Sequence, residues 1–123
     1  MATILKNHYV LAVPDAVTTA RFFIDVLGFD SSPVADDGWR FVSKDNLLVM
    51  LGTCPDAIPP VELGDHSYFA YLVVDDVDGY YDDIKAKDAA TFSVPTSQPW
   101  GMREFGLVTP DGHRIMIGQK IDE

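Results

Sequence analysis

The sequence predicts an α+β chain of two tandem β-α-β-β-β modules, forming a curved mixed sheet around a cavity with the helices on the outer face. Three observations carry this reading. Two stretches with apolar residues at helical spacing each follow a strand and an aspartate suited to an N-cap. Each is followed by short alternating segments separated by turn residues. The two halves also align with each other. At an offset of 61, Val13-Pro14-Asp15 matches Val74-Asp75-Asp76, and Ala16, Ala20 and Phe23 match Val77, Tyr81 and Ile84. At an offset of 66, Asp45-Asn46 matches Asp111-Gly112, and residues 47–51 match 113–117.

In chain order, Lys6 to Val13 reads as a strand closed by Pro14. Asp15 caps a helix whose stripe is Ala16, Ala20, Phe23 and Leu27, widened by Val17 and Ile24, and Gly28 fits the C′ position. Phe29 to Val34, Trp39 to Ser43 and Leu47 to Leu51 read as strands, with turns at Asp36-Asp37-Gly38 and Lys44-Asp45-Asn46. Residues 52–64 hold Pro55, Pro59 and Pro60 and show no periodicity. Tyr68 to Val74 is a strand, and Asp75 or Asp76 caps a helix with inner face Val77, Tyr80, Tyr81 and Ile84. Phe92 to Val94 reads as a short strand. A hairpin closes the chain: Phe105, Leu107 and Thr109 alternate, Pro110-Asp111-Gly112 turns, and His113 to Ile117 returns. The chain is thus one domain over 1–123, with modules 4–52 and 67–119 joined by a linker at 53–66.

Composition narrows the function. At 47% apolar, the 123 residues can bury a core without disulfides, and Cys54 is the single cysteine. A cytoplasmic, reducing setting is expected, and a cysteine-based zinc site is excluded. The opening residues lack a charged region followed by a long apolar run, so no secretory leader is expected. No window suits a membrane span. The net charge of −10 argues against nucleic acid as a partner; it is read first as a solubility feature, with attraction of a cationic small molecule as the sharper alternative. No nucleophile elbow, phosphate-binding glycine loop or activated cysteine is present.

Each half-sheet has two faces, and one must cover its helix. Ile115 and Ile117 are the natural helix side of the last strand, which leaves Arg114 and Met116 on the other; Leu48 and Met50 follow the same logic. Across the repeat His8 pairs with Phe69 and Met50 with Met116, four positions expected around one site.

With these elements in place, the chain resembles the vicinal oxygen chelate superfamily of glyoxalases, extradiol dioxygenases and bleomycin-resistance proteins. The resemblance covers essentially the whole chain. It is carried by the duplication, by Phe22-Phe23-Ile24-Asp25-Val26-Leu27-Gly28-Phe29, and by Pro99-Trp100-Gly101-Met102-Arg103-Glu104-Phe105 with Pro110-Asp111-Gly112. It implies that metal-using relatives take one His or Glu from each of four strands. His8 fits the first position. Met50, Phe69 and Met116 stand where Glu, His and Glu are expected. Thioether sulfur is a poor donor for a first-row divalent ion and a phenyl ring is none. Arg114 is the one charged residue near Met116 in its strand. The site is therefore read as metal-free and without a cofactor. His8 is expected to line a pocket, and His66 and His113, beside turns, to be exposed.

The expected ligand-binding residues are His8, Val10, Trp39, Phe41, Leu48, Met50, Phe69, Tyr71, Trp100, Phe105, Arg114 and Met116, with a core-filling place the equal alternative for Trp39 and Trp100. Such an apolar, aromatic cavity suits a flat ligand held by stacking. Asp36, Asp37, Asp56 and Asp65 lie in loops suited to attract a cationic tail. The similarity to the bleomycin-resistance branch implies a homodimer that sequesters an aromatic compound, cationic drugs included, and hence a role in antibiotic resistance. The alternative is a glyoxalase-like lyase or isomerase, or a dioxygenase-related enzyme, using a metal with shifted ligands or His8 as general base. A third reading is an accessory interaction domain.

Overall fold

Among residues 3–34, 36–63 and 67–121, which the computed structural model of the chain describes, the elements run strand, helix, strand, strand, strand, and then repeat. Unit 1 spans Met1–Ala57 and unit 2 Ile58–Glu123. In unit 1, β1 (His8–Val13) leads to α1 (Ala16–Asp25), then β2 (Asp30–Ser32), β3 (Trp39–Lys44) and β4 (Leu47–Thr53). These strands form one mixed sheet in the order β1-β4-β3-β2, with β1 parallel to β4 and the other neighbours antiparallel. In unit 2, β5 (Tyr68–Val73), α2 (Val77–Ala86), β6 (Thr96–Ser97), β7 (Met102–Val108) and β8 (Arg114–Lys120) give the matching order β5-β8-β7-β6. The α+β class and the two tandem modules are as the sequence predicts.

The helices start where the aspartates cap them. Asp15 accepts the Val17 N–H at 3.2 Å and the Thr18 hydroxyl at 2.7 Å, and Asp76 accepts the Gly79 N–H at 3.1 Å. A second anchor repeats between the units. The side-chain oxygen of Thr53 accepts the N–H of Ala16 at 3.1 Å, and that of Gln119 accepts the N–H of Val77 at 2.9 Å. Thr53 and Gln119 occupy equivalent places on β4 and β8, so each helix is tied at its first turn to the strand between two neighbours. Helix α1 ends with Gly28 at φ +81°, the left-handed conformation a glycine adopts freely, and the Phe29 N–H reaches back to the Phe23 carbonyl at 3.0 Å.

Each core lies between one helix and one sheet face. In unit 1 it joins Ala16, Ala20 and Phe23 of α1 to Leu11, Val13, Val42, Val49 and Leu51, with Phe23 edge-on to Phe29 at 5.1 Å. In unit 2, Val77 and Ile84 of α2 share a core with Ala70, Phe105, Leu107, Ile115 and Ile117, and Tyr81 meets Phe105 edge-on at 5.2 Å. Val17 and Ile24 do not widen the α1 stripe; they are exposed, and buried Thr19 takes the neighbouring place.

Local departures have local causes. Strand β1 begins at His8 rather than Lys6, and β2 is confined to Asp30–Ser32. The expected strand at Phe92 to Val94 lies instead at Thr96–Ser97. Gly106 donates its N–H to the Ser93 hydroxyl at 2.8 Å, and Pro95 has no N–H to give, so the ladder with β7 resumes only at Thr96. Within the linker, Thr53 belongs to β4 and Pro60–Leu63 forms a short 3₁₀ helix. No helix among the described residues is long and apolar enough to cross a membrane.

The two faces of the unit 2 sheet predict opposite responses to truncation. Phe105→Ala is expected to lower unfolding free energy by about 3–5 kcal/mol. Val73→Ala, at a side chain 69% exposed, is expected to cost less than about 0.5 kcal/mol. Urea denaturation of the two variants checks the contrast.

Candidate functional site

In unit 1 the strand register assembles one free face. His8 lies opposite Leu48 and Val10 opposite Met50 across β1 and β4; Phe41 lies opposite Met50 and Trp39 opposite Gly52 across β3 and β4. Cross-strand partners share a face and successive residues alternate. All six therefore point away from α1, while Leu11, Val42, Val49 and Leu51 point toward it. Val10 is 61% exposed and its neighbour Leu11 only 5%, which marks the two sides. The Trp39 indole lies on Gly52, 2.9 Å from where a Cβ would stand, and meets Phe41 edge-on at 6.5 Å. A side chain at position 52 would displace it.

In unit 2 the free face differs from the sequence reading. Tyr71 and Gly106 flank Met116, and Tyr68 and Val108 flank Arg114. Tyr71, Arg114 and Met116 thus share the face opposite α2. Phe69 does not follow the expected pattern. The register passes directly from Tyr68–Arg114 to Ala70–Ile115, so Phe69 is the extra residue of a β-bulge. Its ring meets the His113 imidazole edge-on at 6.0 Å, and Tyr68 takes the place across from Arg114. Phe105 is on the other side, fully buried against α2. Trp100 is 66% exposed in the turn before β7.

His113 is not exposed as expected. Its side chain keeps 15% of its surface and its Nε2 lies 3.5 Å from Asp111 Oδ2, within a turn where the Thr109 hydroxyl donates to Asp111 and accepts the His113 N–H. Asp36, Asp37 and Asp56 are exposed, and Asp36 accepts the Gly38 N–H at 2.8 Å. His66 and Asp65 lie outside the described residues.

The register also brings in residues that the sequence reading missed. Phe92 lies over Gly106, where a Cβ would collide with its ring, and stacks with Tyr68 at 6.5 Å and 18°. Glu104 faces Gly118 across β7 and β8 and is 7% exposed. Tyr71 crosses the bare backbone of Gly118 and donates its hydroxyl to Glu104 Oε2 at 2.5 Å. Arg114 is therefore not the only charge on this face. Burial, the Glu104 hydrogen bond and the Glu104 charge, in that order, push the Tyr71 phenol well above the usual tyrosine range. Its alternation with the core residues Phe105 and Leu107 is the one sequence signal that puts Glu104 on this face; the glycine opposite it comes from the register.

The four metal positions implied by the resemblance do not form a donor set. His8 supplies an imidazole; Met50 and Met116 supply thioethers, and Phe69 supplies no donor. Among the described residues no three His, Cys, Asp or Glu side chains cluster as a metal site. The residues at these four positions do not fit a first-row divalent ion.

Because the folded chain holds the Tyr71 proton more tightly than the unfolded chain, the associated stability is full below the ordinary tyrosine value of about 10. It is lost as pH rises toward the raised folded value. An alkaline ultraviolet titration is expected to show one tyrosine ionising above the usual range, and Glu104→Gln to move it down. A titration curve unchanged by the substitution contradicts the pairing.

Comparison with known proteins gives these faces a family. The family model described as "Glyoxalase/Bleomycin resistance protein/Dioxygenase superfamily" matches residues 6–117. A search of the curated proteins finds no significant match. Among solved structures, a bleomycin-binding protein from bleomycin-producing Streptomyces verticillus, complexed with copper(II)-bleomycin, is 20% identical over 100% of both chains, with a TM-score of 0.71. A glyoxalase-related enzyme from Clostridium phytofermentans is 20% identical over 98% of each chain, with a TM-score of 0.77. TioX from Micromonospora sp. ML1 is 18% identical over 94% of this chain and 99% of its own, with a TM-score of 0.71. At these identities the solved structures speak for the fold, and the match over residues 6–117 speaks for the family: the chain belongs to the glyoxalase/bleomycin resistance protein/dioxygenase superfamily.

Proposed function

We propose that this chain is a metal-free small-molecule binding protein that sequesters an aromatic compound, cationic forms included, against the free faces of its sheets. The observation that supports this most is the unit 1 face, where His8, Val10, Trp39, Phe41, Leu48 and Met50 stand together on the side away from α1. One imidazole among apolar and aromatic side chains is poor equipment for acid–base or metal chemistry and good equipment for contact. Flat ligands stack on such rings at about 0.5–1.5 kcal/mol per good pair beyond area burial. Methionine adapts to irregular ligand shapes. On unit 2, Tyr71, Arg114 and Met116 are the proposed contacts, joined by Phe92 and Tyr68. The bleomycin-binding relative is consistent with a ligand of this kind. The same reading takes the chain as a homodimer, in keeping with Ile4 and Leu5, each 88% exposed.

Titration with bleomycin and a panel of aromatic cations, followed by tryptophan fluorescence, is expected to give saturable quenching. Trp39→Ala is expected to weaken the best ligand about tenfold, the scale of one lost aromatic contact. No response from any compound with the protein folded, or stoichiometric nickel, zinc, iron or manganese retained after dialysis, contradicts the proposal. Light scattering at micromolar concentration is expected to give twice the chain mass.

A further inference from the structure

We infer that Glu104 is the counter-ion for a protonated nitrogen of the ligand, so that the compound bound on the unit 2 face is an aryl-alkyl amine or guanidine. This rests on the small-molecule reading above and names the chemistry of one of its contacts.

The starting point is a carboxylate almost removed from water. Glu104 is 7% exposed, on the face of β7 opposite Phe105 and Leu107. Among the described residues no lysine, arginine or histidine forms an ion pair with it; the basic residue next to it, Arg103, lies on the α2 side and pairs with Asp78 at 3.0 Å. The Tyr71 hydroxyl reaches Oε2. An ionised carboxylate accepts through two oxygens; the phenol takes Oε2, while Oε1 accepts from no described residue and still opens to solvent, where a ligand can reach it. A buried charge calls for a partner of opposite sign. An ammonium or guanidinium brings both the charge and the N–H donors.

The surroundings favour the same ligand. Gly118 opposite Glu104 and Gly106 two residues along β7 have no side chains, and the rings of Tyr71 and Phe92 lie over them. Cations bind well against aromatic faces, better where water is excluded. The competing cation is at the far end of the face: Arg114 precedes Gly118 by four residues on β8, roughly 13 Å at the strand rise. The face thus has a positive end at Arg114, an apolar middle at Met116, and a negative end at Glu104. A protein of net charge −10 also raises the local concentration of cations.

The test compares two probes that differ only in charge, naphthylethylamine and naphthylethanol, by isothermal titration. The intact chain is expected to bind the amine at least about tenfold more tightly, the scale of one hydrogen bond to a charged group. Glu104→Gln is expected to remove that preference and leave the alcohol within about twofold of its original affinity. Asp82→Asn, which removes the same charge from the exposed side of α2, is expected to change neither. Equal binding of both probes, or an amine preference that survives in Glu104→Gln, overturns this inference and leaves the small-molecule reading standing. Failure of both probes to bind overturns the two together. Should Glu104→Gln not fold, Tyr71→Phe keeps the ring and removes the competing donor; the amine preference is then expected to hold or grow, and its loss overturns the inference.

Discussion

Four strands present two faces, and each unit has one helix to cover one of them. That constraint sets everything else in the chain. Side chains alternate along every strand, so fixing the helix on one side assigns each residue to core or free face. The assignment is held at one place in each unit, where Thr53 or Gln119 accepts the first N–H of the helix. The helix start is thereby bound to the strand whose other residues it packs against. On the covered side the composition is dictated by packing: Phe23, Leu51 and Val49 in unit 1, Phe105, Ile115 and Ile117 in unit 2. On the free side it is not, and there the chain keeps residues a core would refuse.

The free faces share a construction. Glycine at equivalent positions 52 and 118 leaves the backbone bare, and a ring lies over each: Trp39 in unit 1 and Tyr71 in unit 2. Gly106 does the same for Phe92. Rings laid along a sheet expose π-faces, which suit stacking on a flat partner. Met50 and Met116, also equivalent, add polarisable and adaptable surface beside them. Unit 2 departs from unit 1 in carrying charges of both signs, with Arg114 and Glu104 at opposite ends of the face, whereas in unit 1 the register places the acidic Asp30 across from Ser43 at the β2 side. The duplication thus supplies two similar aromatic surfaces, and the divergence gives them different charge patterns.

Much of this was legible in the residues. Aspartate caps, the Gly28 stop and the alternation of the closing hairpin act through neighbours in sequence, so the sequence displays them directly. The free-face residues of unit 1 were legible for the same reason, since no bulge interrupts β1, β3 or β4. Phe69 was not. Its displacement arises from one extra residue in β5, and a register slip of that size leaves no mark on an apolar run. Phe105 is core, as its alternation with Leu107 and Thr109 indicates, although its aromatic type suits a cavity equally well. The significance of Glu104 lies in Gly118 and Tyr71, which only the sheet brings to it. The strand lies at Thr96–Ser97 rather than Phe92–Val94 because the Ser93 side chain takes the hydrogen bond that backbone would otherwise make.

Ligand contact is proposed for the faces that the helices leave uncovered. Methyl-labelled methionine and isoleucine report on both sides at once. Met50 and Met116 lie on the free faces, and Ile115 and Ile117 on the covered one. On addition of a saturating aromatic ligand, nuclear magnetic resonance is predicted to show large ring-current shifts at Met50 and Met116, with Ile115 and Ile117 nearly unmoved. Shifts concentrated at the isoleucines, with the methionines unchanged, would contradict the account.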